Sequence, residues 1–400
     1  MKAAIVTPCF LPVPAVHGGA VEVLITDILE GNEKEHRFDF DVYTIPAKEL
    51  DGIKYRYSHL VQMKYPIGVR LRCRMKNLRY RIQGSSRRSA YLYEYICRLL
   101  NQEDYAFILV ENNMLLYREI YQSTKYKDCL LFHMHNDVDE DGKSPELCRV
   151  VGSTAKGIFT VSDYLKKRIC EVSPNNRTTV LYNCVDSRLF APSAQMRENV
   201  RASIGFSQKE MVFFYSGRLH ETKGVKELVS AFCGLCERYD NVRLLVAGGS
   251  WDEKIQQNDY AMEIAELSRR VGDKIRFTGF VSPDRMPEFY AAADVMVIPS
   301  RWEEPLGVVA LEGMAMGLPV IATKSGGLVE CLDDSCAILV ENDDLIEQNL
   351  KRAMEQMLLD LEMREEKGRQ GRERFKRKVE FHKENYFNGL CTLIEEALQE

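Results

Sequence analysis

The chain has 400 residues, more than one ordinary core accommodates, so its size favours two or three domains. Hydrophobic residues make up 45% and charged residues 28%, a globular mixture that argues against a disordered or fibrous chain. The net charge of −5 argues against bulk nucleic-acid binding.

The first residues, MKAAIVTPCFLPVPAVHGG, read as a buried strand and a loop. Pro8, Pro12 and Pro14 interrupt the continuous apolar core that an export signal needs. KAAIVTP, DFDVYTI, YAFILVEN, CLLFHMHND, GIFTVSD and TTVLYNCVD are the strand candidates of the N-terminal half. From Gly52 to Tyr93 the chain carries 11 Lys or Arg and no Asp or Glu, a strong local asymmetry in an acidic protein. The apolar pattern lapses over APSAQMRENVRASIG, which places a linker near 192–205.

The C-terminal half is more regular. MVFFYSG (211–217), VRLLVAGG (242–249), KIRFTGF (274–280) and DVMVIPS (294–300) each precede a helical pattern, near 223–239, 258–271, 283–292 and 305–316. LPVIATKSGG (318–327) follows. This β-α-β-α alternation, with strands apolar on both faces, predicts a parallel doubly wound sheet. From about Asp343 the chain is rich in Glu, Lys and Arg at helical spacing and reads as mostly solvated helix. No run of ~18 apolar residues exists, so nothing is expected to span a membrane. The 12 cysteines have no framework spacing and read as reduced cytosolic thiols. The one CxxC, Cys233 to Cys236, lies in a helical pattern with no second pair and reads as core packing rather than a zinc site.

The expected fold is thus α/β, with two Rossmann-like doubly wound domains facing across a cleft. The first spans 1–192 and the second 193–375. A helical tail, 376–400, is expected to pack back on the first. Ligands of open α/β sheets bind at the C-terminal strand ends. Gly217-Arg218, Gly248-Gly249, Gly279, Ser300 and Gly326-Gly327 all follow apolar strands there.

The segment SRWEEPLGVVALEGMAMGLPVIATKSGG (300–327) carries the densest chemistry. Pro305 suits the first position of a helix, and Gly317 with Pro319 suits its end. The intervening helix is apolar all round, so Glu312 needs a partner, either an internal Arg or a ligand diol. Glu304 stands before the helix. The amides of Leu306, Gly307 and Val308 are expected to be free for an anion. Two hydroxyl-binding carboxylates flanking a diphosphate-binding amide cluster suit a nucleoside diphosphate sugar.

The pair Glu304-x7-Glu312, followed by GMAMGLPVIATKSGG, resembles the signature of the family 4 retaining glycosyltransferases, which have the GT-B fold. GGAVEV (18–23), HMHND (133–137), VSDYLKKRI, YNCVD (182–186) and GRLHETKGV (217–225) resemble further family marks, in order along most of the chain. The resemblance implies that Arg218 and Lys223 hold the donor diphosphate, as two cations at a strand end could. It implies that Glu312 binds the ribose hydroxyls and Glu304 the donor sugar. Gly18 and Gly19 would let backbone approach phosphate or sugar, His135 would bond a sugar hydroxyl, and Gly279, Phe280 and Val281 would line the base. The chain departs from the family at Pro305-Leu306, where Gly-Phe is frequent, and at Cys184, where Gly is common.

The same residue types also occur in other chemistries. Two glutamates also serve glycoside hydrolysis, but one of these lies inside a buried helix beside an amide cluster. DVDEDG (137–142) places Asp137, Asp139, Asp141 and Gly142 as a calcium loop would, yet Cys148 stands where that loop needs Glu. An acidic solvated loop is the simpler reading. His133, which alternates with His135, is expected on the opposite face in a structural role, and His17 is a secondary candidate.

The expected activity is transfer of a hexose-type sugar from a nucleoside diphosphate donor, UDP-sugar favoured, to a hydroxyl acceptor with retention. The resemblance implies a front-face displacement in which the leaving phosphate takes the acceptor proton, with no cofactor and no divalent metal. Expected partners are the nucleotide-sugar donor and a glycan or polyprenyl-diphosphate-linked acceptor. The basic segment 54–88 adds an anionic membrane surface at the cytoplasmic face, and no nucleic acid is expected. The alternatives are a nucleotide-sugar epimerase of the same architecture and a catalytically silent binding module.

Overall fold

The computed structural model describes residues 1–63, 67–82, 90–138, 145–249 and 259–399. Contacts divide the chain into two compact units, Met1–Tyr182 with Glu384–Glu400, and Asn183–Lys383. The sequence reading instead placed the divisions at 192 and 375.

Among the described residues, seven parallel strands form the sheet of the first unit: β1 (Lys2–Val6), β2 (Asp39–Thr44), β3 (Ser58–Gln62), β4 (Ile108–Glu111), β5 (Leu130–Met134), β6 (Gly157–Thr160) and β7 (Thr178–Val180). Their order is β3-β2-β1-β4-β5-β6-β7. The direction of strand addition reverses between β1 and β4, and the chain leaves crevices at such reversal points for ligands. β3 (SHLVQ) escapes a sequence reading because it is a half-exposed edge strand without an apolar run.

The second unit holds β8 (Met211–Ser216), β9 (Val242–Ala247), β10 (Ile275–Phe277), β11 (Val295–Ile298), β12 (Val320–Thr323) and β13 (Ala337–Val340), in the parallel order β10-β9-β8-β11-β12-β13. Here the reversal lies between β8 and β11. One face of this sheet packs Phe213, Val246 and Val297 against Phe232 of the helix Val225–Cys236 and against Leu350 and Met354 of the helix Ile346–Leu359. Cys233 belongs to the same core, and both it and Cys236 are free thiols.

Three expectations need correction. The segment near 192–205 is not a linker but mostly the helix Ala194–Ile204, capped by the Ser193 hydroxyl. Its apolar pattern lapses because an arginine occupies the buried face. Arg201 is fully buried and donates to the carbonyls of Ala292 (2.8 Å) and Glu210 (2.8 Å) and to Asp294 (2.7 Å).

The tail is also less solvated than its charge suggests. The helix Ile346–Leu359 buries Ile346, Leu350, Ala353, Met354 and Met357. The helix Lys383–Gln399 buries Tyr386, Phe387, Leu390, Cys391 and Ile394. Phe387 meets Gly31, and Ala397 meets Gly157, within the first unit.

The helix expected at 305–316 runs instead from Val308 to Ala315. Gly307, at φ 83°, precedes it in a conformation no helix contains, so Pro305 is not its first residue. Gly317, at φ 72°, does end it as a left-handed glycine should.

In the basic segment, residues 64–66 and 83–89, with Lys64, Arg87 and Arg88, lie outside the described residues. The helix Ile67–Ile82 exposes Leu71, Met75, Leu78 and Ile82, each by more than half, at spacings of four, three and four. No helix among the described residues is long and apolar enough to cross a membrane.

Candidate functional site

In the second unit, the loops after β8 and β11 meet at the sheet reversal. Lys223 sits in the short turn Glu221–Lys223 that follows β8. Its Nζ lies 2.7 Å from Glu304 Oε1 and 4.6 Å from the centroid of the Trp302 ring. Glu304 is buried, and the Ser300 hydroxyl donates to it at 2.5 Å. Burial alone would push the Glu304 carboxyl up, but Lys223 and Ser300 outweigh it and hold the group below its usual range.

The backbone of this loop is clamped from behind. The amide of Glu304 donates to Ser325 Oγ at 3.2 Å, and the amide of Gly327 donates to the Glu304 carbonyl at 2.7 Å. Gly326 has φ 48°, and a Cβ there would stand 2.1 Å from the Glu304 carbonyl oxygen. Only glycine fits so close an approach.

Arg218, also after β8, is exposed and its side chain has no hydrogen bond or ion pair among the described residues. The structure therefore joins Lys223 to Glu304 while leaving Arg218 available. The amides of Leu306, Gly307, Val308 and Val309 likewise donate to nothing among the described residues, so Val309 joins the three that the sequence reading named.

Within the chain, the partner of Glu312 is a tyrosine rather than an arginine. The Tyr290 hydroxyl donates to its Oε2 at 2.5 Å. Burial pushes the Glu312 carboxyl up to about 7, although the Tyr290 hydrogen bond pulls it down. On the other side of β8, the amide of Gly248 donates to the Gly279 carbonyl at 2.9 Å. Phe280, next to it, is 64% exposed, a flat apolar surface of the kind a base covers, and Val281 is half-buried.

In the first unit, Gly18 and Gly19 adopt φ 75° and 96° before the helix Ala20–Glu35. A Cβ on Gly19 would lie 2.2 Å from Glu22 Oε2, so this loop rests on a carboxylate. Glu22 is buried, and burial, with the nearby Glu111 charge adding, raises it to about 7. His17 stands on the surface, 3.4 Å from Glu49.

His133 departs from its expected place on the opposite face from His135. His133 Nδ1 lies 3.1 Å from Glu111 Oε2, and His135 Nε2 lies 2.9 Å from the same oxygen. The strict alternation of a strand holds only within β5, and His135 lies beyond it. There Asn112 Oδ1 accepts the amides of His135 and Asn136, at 3.0 and 3.1 Å, and turns the chain back. Glu111, His133 and His135 are also the one group among the described residues whose atoms lie close enough to hold a metal ion.

Asp137, the first acid of DVDEDG, is buried and engaged by Tyr164 and by Arg168 Nε at 3.2 Å, so it is not part of a solvated loop. Asp139, Asp141 and Gly142 lie outside the described residues.

Sequence reasoning missed Glu111, Glu22 and Tyr290, and it placed Ser300 at the strand end without its bond to Glu304. Glu111 had a legible signal, a charged residue ending an apolar strand before Asn112-Asn113. Tyr290 had none, because only the packing of the helix Met286–Ala291 brings it to Glu312.

Residues 196–374 match the family model described as glycosyl transferases group 1. The chain is 29% identical over 349 residues to the spore coat protein SA of Bacillus subtilis (strain 168), with 84% of each chain covered. It is 31% identical over 238 residues to a lipopolysaccharide 1,2-N-acetylglucosaminetransferase of Salmonella typhimurium, with 59% of each covered. Its fold is similar to that of Anabaena Alr3699/HepE in complex with UDP-glucose, with a TM-score of 0.77 at 19% identity, covering 99% of this chain and 100% of that one.

Proposed function

We propose that this chain, whose residues 196–374 match the group 1 glycosyl transferases and whose fold is GT-B, moves a hexose from a UDP-sugar to a hydroxyl acceptor with retention of configuration. The observation that carries the donor site is the Lys223–Glu304 pair at the β8–β11 reversal, set beside the unpaired Arg218 and the free amides of Gly307 to Val309. Two cations and a helix N-terminus converge where a diphosphate fits. Glu304, already ionised, accepts hydroxyls of the sugar. Glu312 accepts those of the ribose, exchanging its Tyr290 bond for a diol, and Phe280 covers the base. The relative of similar fold that is complexed with UDP-glucose supports uridine as the base.

The reaction in this reading is a front-face displacement. The bond from the anomeric carbon to the diphosphate oxygen breaks as the acceptor oxygen attacks from the same side. The acceptor proton passes to the departing phosphate. Arg218, Lys223 and the amides stabilise the charge that develops there, a role preorganised dipoles and cations perform without a metal ion. His135 bonds a hydroxyl of the transferred sugar.

The acceptor is read as lipid-linked, in surface-polysaccharide assembly. The support is the helix Ile67–Ile82, whose exposed apolar stripe runs through a segment of 11 basic and no acidic residues. Such a helix lies in the plane of an anionic interface.

Calorimetry with UDP, GDP, ADP, CMP and dTDP, in magnesium and in EDTA, tests the donor site. UDP should bind, equally in both, and binding should be lost in Arg218→Ala. Binding that requires magnesium would overturn the metal-free reading. Cosedimentation with vesicles containing phosphatidylglycerol tests the surface. Leu71→Glu with Leu78→Glu should abolish it, while wild-type protein that stays unbound at low salt would remove the membrane from the proposal.

A further inference from the structure

Glu111 and His133 are direct neighbours across the β4–β5 pairing, and His135 joins them from just beyond the strand. All three are buried, and the two imidazoles lie with ring centroids 4.0 Å apart. A buried carboxylate is tolerated only where it is bonded. Here it is bonded twice, and although burial pushes it up, His133 and His135 bring Glu111 down to about 2. His135 moves the other way. Burial, with His133 adding, lowers it to about 4, against the pull of Glu111. At neutral pH the cluster is therefore an ionised carboxylate beside a neutral His135.

A neutral imidazole has one N–H and one lone pair, and an ionised carboxylate can only accept. The 2.9 Å contact of His135 Nε2 with Glu111 Oε2 fixes the proton on Nε2. Nδ1 then carries the lone pair, and it has no partner among the described residues. We propose that Glu111 is a positioning residue that holds His135 as the Nε2–H tautomer, so that Nδ1 accepts a hydrogen bond from a sugar hydroxyl. Glu111 acts through His135, so this rests on the reading of His135 given above.

The same three side chains could be read as metal ligands, but His133 argues for protons. Its Nε2 is buried with no partner among the described residues. A metal on Nδ1 would force a proton onto Nε2, and a ligating histidine normally donates that proton to an acceptor. An Nδ1–H tautomer of His133, by contrast, would donate to Glu111 and leave only a lone pair unmet.

The test is Glu111→Leu. A glutamine oxygen has two lone pairs and could still accept from both imidazoles in the place of Oε2, whereas a leucine accepts from neither, so the bond that fixes the His135 tautomer is lost. Two-bond proton–nitrogen correlation NMR on full-length, histidine-labelled protein reads the tautomers directly. Wild-type His135 should be Nε2–H, and E111L should alter the His133 or His135 signals. UDP affinity should be unchanged, which also shows that the variant is folded. The kcat of transfer should drop about 10-fold, the worth of one lost hydrogen bond, with KM for the UDP-sugar unchanged.

A wild-type His135 that carries its proton on Nδ1, or on both nitrogens at pH 7, overturns the proposal even if E111L does not fold. An E111L enzyme with wild-type kcat overturns it too. So does stoichiometric zinc in the purified protein whose removal alters both histidine signals. Wild-type transfer by His135→Ala would instead sink the role of His135 while leaving the tautomer assignment to stand on the NMR.

Discussion

Lys223 Nζ lies 2.7 Å from Glu304 Oε1, and this ion pair ties the loop after β8 to the loop after β11. Both partners are mostly shielded, at 18% and 7% side-chain exposure, so each is costly without the other. Removing one partner of a shielded pair costs about 3 kcal/mol, because the remaining charge is stranded. Lys223→Met should therefore destabilise the protein by roughly that amount. The double variant Lys223→Met, Glu304→Gln should recover most of the loss. Urea unfolding followed by circular dichroism measures both, and strict additivity of the two single changes would show that the pair is not coupled.

Arg218 presents the opposite case. Its side chain has no partner among the described residues, so Arg218→Ala should leave stability within about 0.5 kcal/mol of wild type. UDP affinity should fall about 10- to 100-fold, the worth of a charge-assisted phosphate contact. Equal losses in stability and affinity would mean that Arg218 has a structural partner.

Glu312 gives a pH signature. Its folded value of about 7 lies above the ordinary glutamate range, so the folded protein keeps this proton longer than the unfolded chain does. Its contribution to stability is then full below the unfolded value and is lost as the pH rises through 7. Glu312→Gln should gain thermal stability relative to wild type between pH 5 and pH 8. The ionised carboxylate is also the better acceptor for two ribose hydroxyls. Wild-type UDP affinity should therefore rise from pH 6 to pH 8 by more than that of Glu312→Gln. The titration of UDP itself is common to both and cancels, and parallel curves would remove Glu312 from the ribose.

Among the described residues, Arg201 is one of the largest fully buried side chains. It satisfies three carbonyls besides Ala292 and pairs with Asp294, which also accepts from Arg197 at 2.6 Å. Arg201→Met should cost about 3–5 kcal/mol by stranding Asp294 and those carbonyls. Differential scanning calorimetry of the full chain would detect it, and a loss below 1 kcal/mol would mean the helix Ala194–Ile204 docks by other contacts.

How far the sequence carried this reading varied with the kind of residue. The strands of the second unit were plain because both their faces are apolar, as in Met211–Ser216 and Val295–Ile298. β3 and β13 were not, being short edge strands. Glu304, Lys223 and Arg218 could be named from motif and position, but not that two of them would be paired and the third free. That outcome depends on Gly326, which lets the loop after β12 press against Glu304. The convergence of His133 and His135 was illegible for a different reason. Alternation predicts opposite faces, and only the side chain of Asn112 overrides it.

The helix Lys383–Gln399 completes the first unit, although the whole second unit separates it in sequence from Tyr182. In sequence the second unit is therefore an insertion, continuous from Asn183 to Lys383, and the first is built from the segments before and after it. On the ribosome this reverses the usual order. The later unit can fold while synthesis continues, but the earlier one has Gly31, Phe38 and Gly157 waiting for Phe387 and Ala397. A chain stopped after Lys383 would carry the whole second unit together with a first unit that has part of its core exposed.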